Sequence, residues 1–454
     1  MQLSKALRLK PGFAIAFVGA GGKSSATRRI VDEMSGELPV LGPQAQVSDM
    51  SKFVLITTTT RLGESQKDLA NHHLIDPSED QMASLPDLLE DQRSVLITGP
   101  ELEDKWIPPK DSVLSELYKI AREKGALLLI EADGARGRSL KAPDKHEPVI
   151  PEFVNLVVPM AGLDILGQTT KSEAIHRPEL VSALLRSRKE TEIGPAELAA
   201  VIGSDKGGLK GIPDGAKVRV LLNKAGDALA EPGGQVAQRL LRNPRIQSVV
   251  LASVTEDDPV LEAHGRVAGI ILAAGGSSRL GEPKQVIQWR GHTLIWHAVR
   301  AADGLDPVAV VIGEAAGELR RALKKEPVEI IVNADWEAGQ SSSVRIGLEA
   351  IPPEAEAVVF LLADMPFVTQ ELVSALVQRY HQTLAPLVAT WAGGRRANPV
   401  LFDRETFSDL RELKGDQGGR AIFRRFEREF VEWDDPVLLD VDTPEDLERL
   451  KSME

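Results

Sequence analysis

Short, wholly apolar runs alternate with longer amphipathic segments along almost the whole of this 454-residue chain. Because the runs do not alternate polar and apolar residues, they predict β-strands buried on both faces, as in a parallel sheet. The amphipathic segments, such as residues 111–123 and 233–242, predict the helices that connect these strands. The predicted strands are residues 13–18, 53–57, 94–98, 126–130, 154–160, 218–222, 248–252, 267–272, 308–312, 328–332, 358–362 and 387–391. This succession of elements indicates an α/β fold.

The pattern is interrupted once, and the length of the chain suits two or three domains. Residues 253–266 are acidic and loop-like, and a new strand is predicted to begin at Val267. Since the two halves share no internal repeat, we expect two different three-layer α/β domains, residues 1–264 and residues 265–454.

The composition excludes several functions. The 54 Lys and Arg residues and 67 Asp and Glu residues give a net charge of −13, so no broad basic surface attracts nucleic acid. Aromatic residues make up 4% of the chain, too few for a platform of stacked bases. The absence of cysteine excludes disulfides, thiolate metal sites and a cysteine nucleophile.

The apolar runs are also too short for a membrane protein, because a bilayer span needs roughly 20 apolar residues. The apolar stretch near the N-terminus continues into glycines without a convincing cleavage site, which favours a strand over a signal peptide. The sequence therefore predicts a cytoplasmic protein that binds neither nucleic acid nor a membrane.

A glycine-rich segment follows the first predicted strand of the second domain. It comprises Ala273, Ala274, Gly275, Gly276 and Ser277, followed by Arg279 and Lys284. Glycine lets a backbone approach a triphosphate closely, and backbone N–H groups can bind the anion. Arg279 and Lys284 supply the separate cations that phosphate binding requires in such an acidic chain. The segment predicts a nucleotide-binding turn, and a flexible loop with basic surface residues is the alternative.

Asp364 follows a later predicted strand, at the edge where open α/β sheets bind ligands. A carboxylate there can hold Mg²⁺ against an α-phosphate while Lys284 and Arg279 face the other phosphates. Since neutralising charge dominates nucleotidyl transfer, these three residues are the candidate catalytic groups. Asp442 is the candidate second metal ligand, and a structural role before a capped helix is its alternative.

These motifs resemble the L-A-A-G-x-S-x-R-x-G-x-x-K signature of nucleotidyltransferases, most closely the MocA-type molybdenum cofactor cytidylyltransferases. Further similar segments are Asp364-Met365-Pro366, Asn398-Pro399, Gly415-Asp416-Gln417-Gly418-Gly419-Arg420 and Asp440-Val441-Asp442-Thr443-Pro444. The resemblance implies a Rossmann-like domain that uses Mg²⁺ to transfer CMP from CTP to Mo-molybdopterin, releasing pyrophosphate. It also implies that Asn398, Asp416 and Arg420 face the pterin and its phosphate. Plain turns are the alternative interpretation of those segments.

A second glycine turn follows the first predicted strand of the chain and precedes a helical segment. Its candidate nucleotide-binding residues are Gly19, Gly21, Gly22, Lys23 and Ser24. A strand, a glycine loop, a lysine and a hydroxyl at the start of a helix form the arrangement that binds phosphate. The full pattern G-x-x-x-x-G-K-[ST] requires glycine in place of Phe17, and the dinucleotide pattern G-x-G-x-x-G fails at Ser24. A shortened mononucleotide loop is predicted, with a plain turn as the alternative.

Other strand ends of the first domain carry polar side chains. Glu131 and Asp133 are candidate ligands for a metal ion or its water, and the four threonines at 57–60 suit Mg²⁺ or phosphate. Lys141 and His146 are candidate substrate-binding groups, with a structural role as the alternative for His146.

The segments that carry these residues resemble the YqeC family. They are residues 19–24, 57–61, 131–143, 146–151 and 176–179. The resemblance implies a P-loop-like nucleotide-binding domain, with ATP or GTP, that acts in the maturation of selenium-dependent molybdenum hydroxylases. It also makes a molybdenum hydroxylase apo-enzyme a candidate partner.

The sequence thus predicts a bifunctional maturation protein for the molybdenum cofactor. Two alternatives stay open. One is a nucleotidyltransferase that acts on a sugar or alcohol phosphate. The other is a cofactor carrier or insertion chaperone that binds nucleotides without turnover.

Overall fold

The computed structural model describes residues 1–36, 52–187, 189–275, 280, 283–313 and 315–453. Its contacts divide the chain into two compact units, Met1–His264 (unit 1) and Gly265–Glu454 (unit 2).

Eight parallel strands form the sheet of unit 1 within the described residues. They are β1 (Ala14–Gly19), β2 (Val54–Thr58), β3 (His72–Ile75), β4 (Ser94–Thr98), β5 (Leu127–Glu131), β6 (Leu156–Gly162), β7 (Lys217–Asn223) and β8 (Ser248–Ala252). Their spatial order is β8-β7-β6-β1-β5-β2-β4-β3. The segments that leave β1, β5 and β6 therefore start side by side at one edge of the sheet.

The helices of unit 1 are α1 (Leu3–Ala6), α2 (Lys23–Ser35), α3 (Glu79–Gln92), α4 (Asp111–Lys124), α5 (Pro178–Leu184), α6 (Pro195–Ile202) and α7 (Ala230–Leu240). α4 shows how the sequence sets these elements. An acid opens its first turn, Arg122 and Lys124 lie in its last turn, and Gly125 ends it with a left-handed backbone. Its buried residues Leu114, Leu117 and Ile120 recur every three positions, and Leu117 and Ile120 belong to the core cluster that contains the sheet residues.

Seven strands form the sheet of unit 2 within the described residues. They are β9 (Val260–Ala273), β10 (Val308–Ile312), β11 (Glu329–Val332), β12 (Ala355–Leu362), β13 (Leu387–Ala392), β14 (Arg395–Asp403) and β15 (Arg428–Glu432). Their spatial order is β15-β13-β14-β12-β9-β10-β11, and β14 alone runs antiparallel to its neighbours in this sheet. The first residues of β14 consequently lie at the edge where β9 and β12 end.

The helices of unit 2 are α8 (Leu294–Ala301), α9 (Ala316–Ala322), α10 (Gln340–Ala350), α11 (Gln370–Thr383), α12 (Phe407–Arg411) and α13 (Pro444–Lys451).

Three short two-stranded sheets also occur in the described residues, two in unit 1 and one in unit 2. They are Leu62–Gly63 with Lys105–Trp106, Leu140–Lys141 with Ile175–His176, and Gln288–Trp289 with His292–Thr293.

The α/β class predicted from the sequence is confirmed, but two local expectations are wrong. β9 begins at Val260, inside the stretch 253–266 that the acidic, loop-like composition assigned to a loop. β3, β14 and β15 were not predicted, because their polar residues give no continuous apolar run. β3 and β15 lie at the edges of their sheets, where one side of a strand stays open to solvent.

Among the described residues, no helix is both long enough and apolar enough to cross a bilayer.

Candidate active site

A cleft of about 790 Å³ opens at the edge of the unit 2 sheet where β9 and β12 end. Ala274 and Gly275, which follow β9, line this cleft. Ala273 is buried behind them, 3% exposed. The buried side chain of Gln285 holds the turn, because its Nε2 donates to the carbonyl oxygens of Ala273 and Gly275, each at 3.1 Å. The predicted residues Gly276, Ser277 and Arg279 lie outside the described part of the chain.

Three carboxylates converge on the same cleft. Asp364 follows β12, and Asp440 and Asp442 precede α13. The Val441 N–H donates to the Asp364 carbonyl oxygen at 3.1 Å and so holds the two segments together. One oxygen from each carboxylate lies within 4.8 Å of the others. Since adjacent residues of an extended chain point to opposite sides, Asp440 and Asp442 can face the cleft together.

Lys284 lies among these acids. Its ammonium group contacts the Asp364 carboxylate and is 2.5 Å from Asp442 Oδ1. Burial acts to lower the pKa of Lys284, but Asp364 and Asp442 outweigh it and the pKa is raised. The helix cap after Asp442 is made by Thr443 and Asp446, whose side chains bond each other's backbone N–H groups. The Asp442 carboxylate is therefore not needed as the cap.

The acidic cluster has fewer positive charges than negative ones. Burial, followed by the neighbouring Asp364, raises the pKa of Asp440 to about 7. Asp364 Oδ1 and Asp440 Oδ1 are buried without a hydrogen-bond partner among the described residues. Converging carboxylate oxygens with unused lone pairs suit a hard divalent cation. Asp440 was not a candidate from the sequence, although the spacing Asp-x-Asp before the predicted helix could have indicated it.

Other lining residues of the cleft come from β14 and the segment 416–423. They include Asn398, Asp416 and Arg420, all predicted from the sequence. Asn398 lies within β14, at an irregularity in the pairing of this strand with β13. Arg396, which was not singled out from the sequence, also lines the cleft and stacks on the ring of Phe423.

The N-terminus of α10 completes the cleft through Gln340 and Ser343. Gly339, at the helix start, has a φ of +98°, and a Cβ there would meet the Gly415 backbone at 2.4 Å. The side chain of the buried Asn333 donates to the Ser342 and Ser343 hydroxyls at 2.8 and 3.0 Å. The helix start is thus fixed in position beside the residues that follow Gly415.

Unit 1 has its own glycine turn, between β1 and α2. Gly19, Gly21 and Gly22 all have positive φ angles, and α2 begins at Lys23. Gly21 packs so closely on the end of β6 that an added Cβ would lie 2.4 Å from the Gly162 nitrogen. Only glycine fits both the backbone angle and the space.

Lys23 and Ser24 contact different acids. Lys23 Nζ donates to the Gly19 carbonyl oxygen at 2.6 Å and lies 3.1 Å from Asp133 Oδ1. The Asp133 carboxylate also accepts from the Gly19 N–H, at 3.0 Å. The Ser24 hydroxyl, by contrast, donates to Glu131 Oε2 at 3.2 Å.

The two candidate metal ligands of unit 1 therefore differ in their surroundings. Asp133 is 2% exposed and is surrounded by Lys23, Lys141 and the Gly19 N–H. Burial raises the pKa of Glu131, and its neighbours are the side chains of Ser24 and Gln66. Glu131 beside the Ser24 hydroxyl resembles a cation-binding pair, whereas Asp133 neutralises two lysines.

Other residues predicted for unit 1 have structural partners. Lys141 is buried and contacts Asp133 at 3.0 Å and Glu147 at 2.6 Å, whereas His146 is exposed. The hydroxyls of threonines 57–59 donate to backbone carbonyl oxygens. Asn223, at the end of β7, donates to the Gly21 carbonyl oxygen at 2.7 Å and so supports the glycine turn.

Each unit matches a known family. Residues 269–430 match the model of the MobA-like NTP transferase domain, and residues 15–179 match the model of the YqeC protein.

Three similar proteins illustrate these matches. Nicotine blue oxidoreductase of Paenarthrobacter nicotinovorans is 28% identical over 201 residues, which are 40% of this chain and 96% of that protein. The Escherichia coli protein named "uncharacterized protein YqeC" is 31% identical over 105 residues, 23% of this chain and less than half (41%) of that protein. A Bacillus cereus protein named "probable molybdenum cofactor guanylyltransferase" is 32% identical over 135 residues, 30% of this chain and 66% of that protein. Two of these names describe different activities and the third describes none, so the activity of this chain has to be argued from its own site.

Proposed function

Because the chain carries a YqeC domain at residues 15–179 and a MobA-like NTP transferase domain at residues 269–430, we propose that it is a bifunctional protein of molybdenum cofactor maturation. Unit 2 transfers CMP from CTP to Mo-molybdopterin, giving molybdopterin cytosine dinucleotide and pyrophosphate. Unit 1 performs a nucleotide-dependent step, with ATP or GTP, in the maturation of a molybdenum hydroxylase apo-enzyme.

The observation that carries the proposal for unit 2 is the meeting of Lys284 with three carboxylates in a cleft that also contains arginines. Nucleotidyl transfer brings two anions together, so its barrier falls when fixed positive charge surrounds the reacting phosphates. Lys284 stays protonated, because its acidic neighbours raise its pKa, and its ammonium group binds phosphate oxygens beside Gly275. A divalent cation such as Mg²⁺, held by Asp364, Asp440 and Asp442, supplies the remaining charge neutralisation.

Two observations favour CTP as the nucleotide and a molybdopterin as the acceptor. Ala273-Ala274-Gly275 resembles the turn of cytidylyltransferases, and this favours CTP. A relative named for molybdenum cofactor guanylyl transfer supports a molybdopterin acceptor. Arg420 and Asn398 face the cleft and are suited to bind the acceptor's phosphate and polar ring atoms.

For unit 1, the proposal depends on the glycine turn and on the pairing of Ser24 with Glu131. The N–H groups at the start of α2 and the Lys23 ammonium bind phosphate in this proposal. Glu131 and the Ser24 hydroxyl hold a cation beside this phosphate, and the Asp133 carboxylate orients the Lys23 ammonium group.

The experiment that tests unit 2 measures pyrophosphate release from CTP, GTP, ATP and UTP in turn, with Mg²⁺ and with either Mo-molybdopterin or a sugar phosphate as the acceptor. We expect release with CTP in the full chain and its loss in Asp364→Ala. Asp435→Ala, which removes an exposed carboxylate outside the cleft, is the matched control and is expected to keep full activity.

The outcomes separate the parts of the proposal. Release with GTP instead of CTP would overturn the choice of base but keep the reaction. Release with sugar phosphates alone would overturn the molybdopterin acceptor. Absence of release with every nucleotide and Mo-molybdopterin would overturn the proposed reaction of unit 2.

A further inference from the structure

β14 contributes several side chains to the unit 2 cleft, which is lined by Arg396, Ala397, Asn398, Val400 and Phe402 of this strand. Arg395 and Arg396 pair in regular register with Ala392 and Trp391 of β13, so their side chains project from opposite faces of the strand. Arg396 lines the cleft, and Arg395 belongs to the other face.

The guanidinium of Arg396 is held in place by an aromatic ring. Its Cζ lies 3.8 Å from the centroid of Phe423, whose side chain is buried. Stacking on a ring leaves the N–H groups at the edge of the guanidinium free to donate in its plane. Arg420 also lines the cleft, so two arginines contribute to its lining.

The two arginines lack a balancing acid. In the part of the chain that the structure describes, neither Arg396 nor Arg420 forms an ion pair or a side-chain hydrogen bond. Partial burial, followed by the charges of Arg420 and Arg428, lowers the pKa of Arg396. An anion bound between the two guanidinium groups would remove this repulsion.

The order of strands indicates on which side of the reacting phosphorus the two arginines lie. β12 lies between β9 and β14 in the sheet, so Asp364 lies between the glycine-rich turn and Arg396. Neighbouring strands are about 4.8 Å apart, which puts the start of β14 about two strand spacings from the turn after β9. In an in-line displacement the attacking and the leaving groups lie on opposite sides of the phosphorus. If the leaving phosphates lie beside Gly275 and Lys284, the attacking group comes from the β14 side.

We propose that Arg396, stacked on Phe423, binds the phosphate dianion of the acceptor together with Arg420 and is a further residue that positions the acceptor. This inference rests on the nucleotidyl transfer proposed above. An oxygen of the acceptor phosphate attacks the α-phosphorus of the nucleoside triphosphate and forms a new P–O bond. The bond from the α-phosphorus to the oxygen bridging to the β-phosphorus breaks, and pyrophosphate leaves with the electron pair. Arg396 is a positioning residue for this attack, because it orients the acceptor phosphate.

The first test measures binding rather than turnover, with inorganic phosphate and pyrophosphate as separate probes on the full chain. Arg396→Ala is expected to weaken phosphate binding by about tenfold to a hundredfold, the effect of a charge-assisted hydrogen-bonded contact. It is expected to change pyrophosphate binding by less than about twofold, since in this proposal pyrophosphate binds beside Gly275 and Lys284, at the end of β9. Arg395→Ala, one residue away on the other face, is the matched control and is expected to leave both unchanged.

The second test uses steady-state kinetics with Mo-molybdopterin and CTP. Arg396→Ala is expected to raise the acceptor KM by a similar factor, with little change in kcat or in the KM for CTP. Arg396→Lys keeps the charge but loses the planar guanidinium group, so its acceptor KM is expected to lie between that of the wild-type chain and that of Arg396→Ala. Thermal melting of all variants controls for loss of fold, and the Lys variant keeps the test readable if the Ala variant unfolds.

Two results would overturn the inference. One is an equal loss of phosphate and pyrophosphate binding in Arg396→Ala, which would assign the arginines to the triphosphate. The other is unchanged phosphate binding in that variant. A wild-type chain that binds phosphate through Arg396 but releases no pyrophosphate would instead refute the proposed transfer reaction.

Discussion

Replacing Gly21 by alanine tests whether the glycine turn of unit 1 is fixed by its packing against β6. Gly21 has a φ of +87°, and a Cβ there would lie 2.4 Å from the Gly162 nitrogen and 2.5 Å from the Ala161 carbonyl carbon. Both of these atoms belong to the backbone, so no side-chain rotation can relieve the contact. The substitution therefore requires a shift of β6 or of the turn itself.

The expected loss of stability has two parts. A left-handed backbone costs an alanine about 1–2 kcal/mol, and forcing a methyl group into filled space costs about 1–3 kcal/mol more. Gly21→Ala should therefore destabilise unit 1 by about 2–5 kcal/mol. Gly36 is the matched control, because it has a φ of +74° and no atom of the described residues lies within 4 Å of an added Cβ. Gly36→Ala should cost only the backbone part, about 1–2 kcal/mol.

The assay is hydrogen exchange of the full chain at increasing urea concentration, read by peptide mass spectrometry. Peptides from β1, β5 and β6 report on unit 1, and peptides from β10 and β12 provide an internal reference in unit 2. Gly21→Ala should shift the unit 1 transition to lower urea than Gly36→Ala does. Equal shifts in the two variants would refute the packing argument, because they share only the backbone term.

Three further predictions concern charged groups. Asp440→Asn should weaken Mn²⁺ binding to the full chain by about tenfold or more, measured by calorimetry, because it removes one of three converging carboxylates; an unchanged affinity would exclude Asp440 from the cation site. Lys23→Ala should weaken ATP or GTP binding while pyrophosphate release by unit 2 persists, and parallel losses in both measurements would contradict two separate nucleotide sites. Although burial acts to raise the pKa of Glu147, its bonds to Arg177 and Lys141 lower it from 4.5 to about 2. The ionised form is thus favoured by folding, and its stabilisation, present above pH 4.5, is lost as the pH falls towards 2. Arg177→Gln should reduce this pH dependence in urea unfolding, and an identical dependence in the variant would show that the ion pair does not contribute.

The features that the sequence predicted are those that depend on neighbouring residues. Continuous apolar runs indicated most strands of both parallel sheets, because a strand buried on both faces needs apolar side chains at successive positions. Ser94–Thr98, Ser248–Ala252 and Val308–Ile312 have the predicted bounds. Strands with polar residues, such as β14 and β15, gave no such signal. β14 pairs with β13, to which the two residues Gly393 and Gly394 join it, and with the more distant β12, and β15 pairs with β13.

Some residues of the candidate site in unit 2 could also be predicted from local motifs, and others could not. Local motifs pointed to Lys284, Asp364 and Asp442, and the structure places all three in one cleft. Asp440 joins them two positions before Asp442, a local spacing that could have indicated it. That Arg396 lines the same cleft follows from strand order and chain direction, which no local pattern contains.

Unit 1 shows most clearly what could not be predicted from the sequence. The sequence by itself determined a glycine turn after a buried strand and two acids, Glu131 and Asp133, after another. Only the tertiary structure distinguished the acids, because it surrounds Asp133 with Lys23 and Lys141 and leaves Glu131 beside Ser24. Backbone conformation depends on adjacent residues, but the charge environment of a side chain depends on groups brought together from distant positions. Lys23 and Asp133 are 110 positions apart and meet because β1 and β5 are neighbours in the sheet.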